Sequence, residues 1–475
     1  MKKNFIYNII YQILVLILPL VTVPYVSRIL GADGVGIYSY TYSIAYYFMI
    51  IAMLGLNNYG NRTIAKVRDD KEKLSKEFCS IYALQLIISI IMIICYLLYV
   101  VIFNNQYKLI AFIQIMYVIS SMFDINWFFF GIEKFKLTIT RNTIIKILSL
   151  IFIFIFVKTP DDVWKYTAIL AGSTLFSNII LFSFLHKYVR FVKVGRRDIF
   201  KHFKPNLVMF LPVIAVSIYK IMDKIMLGIL STVTEVGYYE NAEKITQVPI
   251  AIITALGTVM LPRVSNMLSN NKEEEVKKII GKTMPFILFL AFPMVFGICA
   301  VSKDFSLIFF GNEFEKCGLL IQLLSITIIF LSWGNVIRTQ YLIPKEKDKE
   351  YVISAFLGAI VNFIMNYIFI PKYTSIGACI GTIAAEFIVM CYQSWVVRKE
   401  LPLKEYMLNS LGFFIKAIIM FIIIMPLGKQ IKNNDLLRIV VQVLIGVIVY
   451  VLLNFKYIYN ILGLSKYLKK LKGAN

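Results

Sequence analysis

The chain has 475 residues, of which 59% are hydrophobic and only 16% are charged, and its formal net charge is +23 at pH 7. Soluble domains average about 45 to 50% apolar and about 25% charged residues, so this composition excludes an ordinary soluble protein. The positive charge is spread over many short segments instead of one patch, which argues against nucleic acid as a partner and favours loops held beside anionic lipid.

Apolar stretches of roughly twenty residues recur along the chain, as helices that cross a hydrocarbon layer of about 30 Å require. The first stretch is too long for a signal peptide and has no small-residue cleavage site, so we interpret it as an uncleaved helix. The sequence therefore predicts an all-α polytopic membrane protein with fourteen spans: 5–27, 37–56, 80–103, 109–130, 140–157, 164–185, 206–230, 245–262, 283–301, 318–337, 351–370, 375–396, 408–427 and 436–454.

Lysine and arginine residues alternate between the two sets of loops, and the basic loops predict the cytoplasmic side. Both termini then lie in the cytoplasm, which requires an even number of spans. The largest loops, 57–79 and 186–205, are too short to hold a catalytic domain. The sequence therefore predicts a transport function carried by the helices.

Cysteine and histidine are sparse and do not form a ligand pattern. The six cysteines contain no CxxC pair, and the two histidines, His186 and His202, share one basic loop. We predict no metal site, no disulfide framework and no cofactor, apart from H⁺ or Na⁺ as a candidate coupling ion.

An internal repeat links the first third of the chain to its middle. Pro19, Pro24 and Arg28 precede the segment 34–39, and Pro212 and Asp223 precede the segment 235–240, with an offset of about two hundred residues. Six predicted spans separate the two copies, so the copies have the same orientation, as in parallel-repeat transporters. The predicted domains are an N-terminal six-helix lobe (1–190), a basic cytoplasmic linker (191–205), a C-terminal six-helix lobe (206–400) and an extra helix pair with a basic tail (401–475).

Charged residues inside spans are costly and usually functional. Lys220, Asp223 and Lys224 are spaced to share one helix face, where Asp223 can neutralise part of the lysine charge. This cluster can be an anion site, a charge-coupled gate or an internally paired structural cluster. Arg28 can hold a phosphate with its planar guanidinium, or it can extend to the outer interface.

Other charged residues within the predicted spans extend this picture. Lys146 lies in mid-span and is predicted to line a cavity, while Asp124 and Glu386 are candidates for proton or sodium coupling or for pairing with a lysine. The aromatic runs 38–47 and 127–130 can stack on sugar rings, or they can form an interfacial belt or pack in the core.

The sequence resembles the Wzx-type polysaccharide flippases of the multidrug/oligosaccharidyl-lipid/polysaccharide (MOP) exporter superfamily. The resemblance covers the first twelve predicted spans and is carried by the segments 19–31, 34–38, 60–62 and 127–131, and by Asn362, Asn366, 370–372 and 377–378. It implies two six-helix lobes around a cationic cavity that moves an undecaprenyl-pyrophosphate-linked oligosaccharide to the outer leaflet. It also implies a pyrophosphate contact for Arg28 and Arg62, and it places the last two spans outside the twelve-helix core, similar to the additional pair of the lipid II flippases.

The buried surplus of lysine and arginine agrees with an anionic substrate on independent grounds, because a pyrophosphate crossing lipid needs its charge offset. Polymerase and glycosyltransferases of the same pathway are then candidate partners, beside the lipid-linked substrate and the bilayer. Two alternatives stay open: a cation-coupled multidrug exporter of the same superfamily, and a membrane polysaccharide polymerase or glycosyltransferase. The first would want acidic residues in its binding pocket, and the second large outer loops or acidic catalytic pairs.

Overall fold

The computed structural model describes residues 2–103, 106–431 and 434–461, and within these ranges the chain is built from α-helices joined by short turns. The helices are α1 (Lys2–Met53), α2 (Leu56–Val67), α3 (Lys71–Ile102), α4 (Lys108–Phe123), α5 (Asn126–Gly131), α6 (Phe135–Phe156), α7 (Val163–Ser183), α8 (Arg196–Phe200), α9 (Phe203–Leu230), α10 (Val233–Ser269), α11 (Glu273–Phe310), α12 (Glu315–Ser325), α13 (Thr327–Ile337), α14 (Asp348–Tyr373), α15 (Ser375–Val397), α16 (Leu403–Gln430), α17 (Asp435–Leu453) and α18 (Phe455–Ile461).

The described residues contain 13 helical stretches that are long and apolar enough to cross a membrane. The first of them contains most of α1, whose 52 residues exceed one bilayer crossing of about 20 residues. Gly31 interrupts this helix with a positive φ of 65°, which glycine adopts without steric cost. Counting the two arms of α1 separately gives fourteen crossings, and the predicted polytopic helical fold is confirmed.

Several helices extend further than the predicted spans. The segment 231–244, which separates the predicted spans 206–230 and 245–262, is mostly helical because α10 begins at Val233. Similarly, α3 begins at Lys71 and α11 at Glu273. Polar residues add to a helix once it is nucleated, so charge marks the end of the lipid-facing part and not the end of the helix.

Two compact units make up the chain: Met1–Glu240 with Asn366–Ser375, and Asn241–Met365 with Ile376–Asn475. These units are defined by which residues pack together, whereas the predicted domains are defined by the sequence repeat. The predicted division into lobes therefore stays a prediction.

The core of the first unit contains the aromatic run 127–130. Trp127, Phe128 and Phe129 are completely buried, and the Trp127 ring stacks on Phe78 with 5.6 Å between centroids. The Trp127 indole N–H donates to Gln85 Oε1 at 3.0 Å. These three rings therefore pack in the core and are not available to stack on a sugar.

The core of the second unit forms around α11, against which α16 and α17 pack. Two tyrosine hydroxyls bond to α11 carbonyls: Tyr406 donates to Lys277 at 3.0 Å, and Tyr450 donates to Phe289 at 2.9 Å. The additional helix pair is thus fastened to α11 by hydrogen bonds as well as by apolar packing.

Glu400, in the turn between α15 and α16, forms ion pairs with two lysines of the turn that follows α13. Its carboxylate accepts hydrogen bonds from Tyr341 Oη at 2.7 Å, from Lys345 Nζ at 3.2 Å and from Lys347 Nζ. Burial alone would raise the pKa of Glu400, but these donors outweigh it and lower the pKa to about 2.

This network predicts an acid-sensitive contribution to stability. Because the folded pKa of Glu400 lies below its ordinary value of 4.5, the contribution is present above pH 4.5 and is lost as the pH falls towards 2. We expect Glu400→Gln to lower the melting temperature of the detergent-solubilised protein at pH 7, and the difference from wild type to shrink below pH 4.5. Glu313→Gln, at an exposed position, is the control and should show no such trend. A pH-independent difference would contradict this account.

Candidate functional site

A salt bridge in the first unit joins α9 to the start of α10. Lys224 Nζ lies 2.5 Å from Glu240 Oε2, and both side chains are largely buried, with exposed fractions of 15% and 13%. Ser39 on α1 donates its hydroxyl to the same Glu240 oxygen at 2.9 Å. Three helices therefore meet at one carboxylate.

Asp223, the neighbour of Lys224, has only 1% of its surface exposed. Its two carboxylate oxygens accept hydrogen bonds from Tyr239 Oη at 2.7 Å and from Asn366 Nδ2 at 2.5 Å. Two neutral donors from α10 and α14 thus bind this buried carboxylate.

The predicted triad of α9 occupies three different environments. Asp223 is buried, Lys224 is mostly buried and Lys220 is exposed. Spacing along α9 predicted Asp223 as the acidic neighbour of the lysines, whereas the carboxylate that bridges Lys224 in the structure is Glu240. Glu240 therefore offsets the charge of Lys224, and the ammonium of Lys220 is accessible to an anion.

The other predicted cations are also accessible. Arg28 on α1, Arg62 on α2 and Lys146 on α6 are all exposed. All three belong to helical stretches with the length and hydropathy of membrane spans. An anion can approach each of these cations without disrupting the core.

The predicted acidic residue Asp124 lies at a helix break of the first unit. Asp124 ends α4, and its carboxylate accepts from the backbone N–H of Asn126 at 3.1 Å and from Asn126 Nδ2 at 2.6 Å. Asn126 in turn accepts from the buried Arg141 at 3.0 Å. Asp124 therefore stabilises the break between α4 and α5. Glu386 is buried on α15 in the second unit.

The repeated segments pack against each other through two glycines. A Cβ on Gly36 would lie 1.7 Å from the carbonyl oxygen of Val233, and a Cβ on Gly237 would lie 2.0 Å from that of Ala32. Gly36 and Gly237 are 201 residues apart, and so are Ala32 and Val233. Because each copy makes the same contact with the other, an approximate twofold axis passes between the two glycines.

The same offset recurs in polar contacts on either side of the glycines. Asp33 accepts a hydrogen bond from Thr234, and Glu240 accepts one from Ser39, and both pairs are again separated by 201 residues. The repeat noticed in the sequence is thus a physical contact. Its polar partners, Ser39, Thr234 and Glu240, were not identified as site residues, although pairing positions by the offset would have found them.

Tyrosines of the run 38–47 pack beside this contact. The hydroxyls of Tyr38 and Tyr117 are 3.0 Å apart, and Tyr42 stacks on Tyr38 and meets Tyr117 edge-on, with ring centroids 5.8 Å and 4.9 Å apart. Tyr38 and Tyr42 remain partly exposed. Unlike the buried residues 127–129, this cluster keeps ring surface that a sugar could contact.

Comparison with known proteins places the chain in a family. The profile of the family described as "Polysaccharide biosynthesis protein" matches residues 1–268, more than half of the chain, and the MatE profile matches residues 209–368. The putative O-antigen transporter of Escherichia coli (strain K12) is 23% identical over 414 residues, which cover 84% of this chain and 97% of that relative. CapF, a capsular polysaccharide biosynthesis protein of Staphylococcus aureus, is 22% identical over 418 residues, covering 82% and 97%.

Solved structures share the fold at low sequence identity. The lipid II flippase MurJ in an inward closed conformation has a TM-score of 0.77 at 18% identity, covering 97% of this chain and 100% of that chain. An inward-facing multidrug resistance MATE family transporter of the MOP superfamily has a TM-score of 0.59 at 14% identity, covering 81% and 97%. The family match, the full-length relatives and the shared fold agree: this chain belongs to the polysaccharide biosynthesis protein family and has the fold of the MOP superfamily.

Proposed function

We propose that this chain is a flippase that moves an undecaprenyl-pyrophosphate-linked oligosaccharide from the inner to the outer leaflet of the bacterial cytoplasmic membrane. The polymer built from it is a surface polysaccharide of capsule or O-antigen type. The family match and the relatives named O-antigen transporter and capsular polysaccharide biosynthesis protein support the class of substrate. Polymerase and glycosyltransferases of the same pathway are its proposed partners.

One observation carries the proposal. Arg28, Lys146 and Lys220 are exposed cations on long helices with apolar stretches, Arg62 is exposed on the short helix α2, and cations at such positions can contact an anion that enters between the helices. A pyrophosphate crossing lipid must have its charge offset, and these side chains supply the offset. Lys224 also contacts the pyrophosphate when its salt bridge to Glu240 breaks. The polyprenyl tail stays in lipid while the headgroup crosses.

Alternating access follows from the reciprocal contact of the two repeats. In the predicted topology, with both termini in the cytoplasm, segments 32–39 and 233–240 both lie at the outer end of their helices. Packing of Gly36 on Gly237 closes that end, and separation of the two segments opens it. Ser39 and Thr234 hydrogen bonds add to the closed contact and break when it opens.

Ion coupling is proposed for Asp223, with Asp124 and Glu386 as further candidates. Asp223 is buried at a helix junction, where protonation or Na⁺ binding would change how it holds Tyr239 and Asn366. Since these donors lie on α10 and α14, the charge state of Asp223 can bias the position of both helices.

A cation-coupled multidrug exporter is the second candidate, and the MatE match over residues 209–368 favours it. An exporter of organic cations would bind its substrate through carboxylates. The exposed charged residues within the predicted spans of the first unit, Arg28, Lys146 and Lys220, are basic, however, so we favour the anionic substrate.

The proposal is tested in a deletion strain complemented with variants. Without the gene, lipid-linked repeat units should accumulate on the cytoplasmic face and surface polymer should be lost. We expect Lys220→Gln to restore polymer export about 10-fold to 100-fold less well than wild type, because a hydrogen bond to a charged group contributes about 1.5 to 3 kcal/mol. Polymer export at the wild-type level in the deletion strain would refute the function.

Lys349→Gln is the matched control, since Lys349 is also exposed but lies in the first turn of α14. It should complement fully. If Lys220→Gln also complements fully, the assignment of the anion site is wrong while the function can stand.

A further inference from the structure

An apolar groove opens on the surface of the second unit, between α11, α13, α15 and α16. Its volume is about 510 Å³. Leu288 and Phe292 form part of its lining and are nearly buried, while Met407 and Leu411 of α16 form an exposed wall. The groove is therefore a deep slot with one flank supplied by the additional helix pair.

The polar atoms of the lining are mostly satisfied by the protein itself. The Trp333 indole N–H donates to Ser394 Oγ at 2.8 Å, and the Ser410 hydroxyl donates to the Tyr406 carbonyl at 2.8 Å. These bonds use the donors of the slot, which leaves hydrocarbon as the surface offered to an occupant. A sugar or a peptide would find few partners there.

One charged residue, Lys404, lines the groove, at the N-terminal end of α16. The same turn carries Arg398, whose guanidinium lies 4.3 Å from the Trp395 ring centroid, and Trp395 is itself exposed. Of the nearby acids, Glu400 is already bound by Lys345 and Lys347. Glu405, the residue after Lys404, is exposed, but Arg398, Lys399 and Lys404 outnumber it, so the end of the groove is basic with an exposed tryptophan, as expected where a helix meets the headgroup layer.

We propose that this groove is a binding site for an anionic phospholipid, with an acyl chain in the slot and the phosphate beside Lys404. The occupant must be apolar along the slot and negative at the lysine end, and an anionic glycerophospholipid meets both conditions. The additional helix pair, which supplies α16, then has the role of building this lipid site. This lipid site does not depend on the proposed transport function.

The test measures lipid retained by the purified full-length protein. Protein washed in detergent is loaded with phosphatidylglycerol or with phosphatidylcholine, and the bound lipid is counted by native mass spectrometry. We expect one retained phosphatidylglycerol and little phosphatidylcholine. Lys404→Gln should weaken phosphatidylglycerol binding about fivefold, the factor that one lysine beside an anionic headgroup contributes.

The large side chain introduced by Cys391→Trp fills the slot, because Cys391 lies in its lining and takes no part in the hydrogen bonds of Trp333 and Ser410. It should abolish retention while Cys95→Trp, at an exposed position of α3, should not. The melting temperature of each variant shows whether it is folded. If Cys391→Trp does not fold, the result for Lys404→Gln still tests the proposal.

Three results would overturn the proposal. Equal retention of both phospholipids would mean that charge plays no part, and retention unaffected by Lys404→Gln and Cys391→Trp would place the lipid elsewhere. Displacement of phosphatidylglycerol by an equimolar amount of undecaprenyl phosphate would assign the groove to the polyprenyl chain of the carrier.

Discussion

Replacing Gly36 with alanine is expected to reduce transport about 100-fold. The new Cβ would lie 1.7 Å from the Val233 carbonyl oxygen, where ordinary contact needs 3.4 to 4 Å. The oxygen is a backbone atom and the Cβ is fixed by its bond to Cα, so no side-chain rotation can relieve the clash. Overpacking costs about 1 to 3 kcal/mol. If a cost near the upper end of this range falls only on the state in which the two repeats are in contact, the population of that state falls about 100-fold. Gly237→Ala should act in the same way, because the contact is reciprocal. Export of surface polymer by the complemented deletion strain measures the effect.

Gly297→Ala is the control, because a Cβ at Gly297 would meet nothing within 4 Å. It also replaces a helical glycine, so any general effect of alanine on helix stability appears in both variants. If Gly36→Ala exports polymer as well as Gly297→Ala does, the two repeats do not need to close at this contact during transport.

Removing the carboxylate of Asp223 should have the second largest effect. Asp223→Ala deletes the acceptor that Tyr239 Oη and Asn366 Nδ2 share, and we expect a loss of about 2 to 4 kcal/mol of stability together with a loss of transport. The melting temperature of the purified protein reports the first loss, and polymer export reports the second.

Two milder variants separate stability from coupling. Tyr239→Phe removes one hydrogen bond to the carboxylate and should cost about 1.5 to 3 kcal/mol. Asp223→Asn keeps the volume and removes the charge, so transport by reconstituted protein should lose its dependence on a proton or sodium gradient. If Asp223→Asn retains the gradient dependence of the wild type, Asp223 is not the coupling residue, and Asp124 and Glu386 are the next to test.

The sequence predicted the class of fold and the repeat because both depend on patterns along the chain. Hydropathy identifies lipid-facing helices, since lipid leaves few alternatives for the backbone. The short turn between α14 and α15 was also predicted, although Pro371 lies within α14 and the turn residue is Thr374, with a φ of 53°. The repeat offset was read as about two hundred residues, and the contacts at Gly36 and Gly237 give 201.

The side-chain partners could not be predicted, because they depend on how distant helices meet. Asp223 was the nearest acid to Lys224 along α9, yet Glu240 bridges Lys224 from another helix. Charge had also placed Glu240 in a loop, whereas it lies in the first turns of α10. In the same way, the runs 38–47 and 127–130 are both rich in aromatic residues, and only the packing distinguishes the buried Trp127 from the partly exposed Tyr42.

The most direct test of the central claim uses purified protein in liposomes that carry a lipid-linked oligosaccharide with a pyrophosphate bridge. Its movement between leaflets is followed by the access of a sugar-modifying reagent added outside. We expect wild-type protein to expose the inner-leaflet pool and Lys220→Glu to fail, because the variant places a negative charge where the pyrophosphate needs a positive one. Movement of the lipid at the same rate with Lys220→Glu, or at the protein-free rate with wild type, would contradict a cationic path for the headgroup.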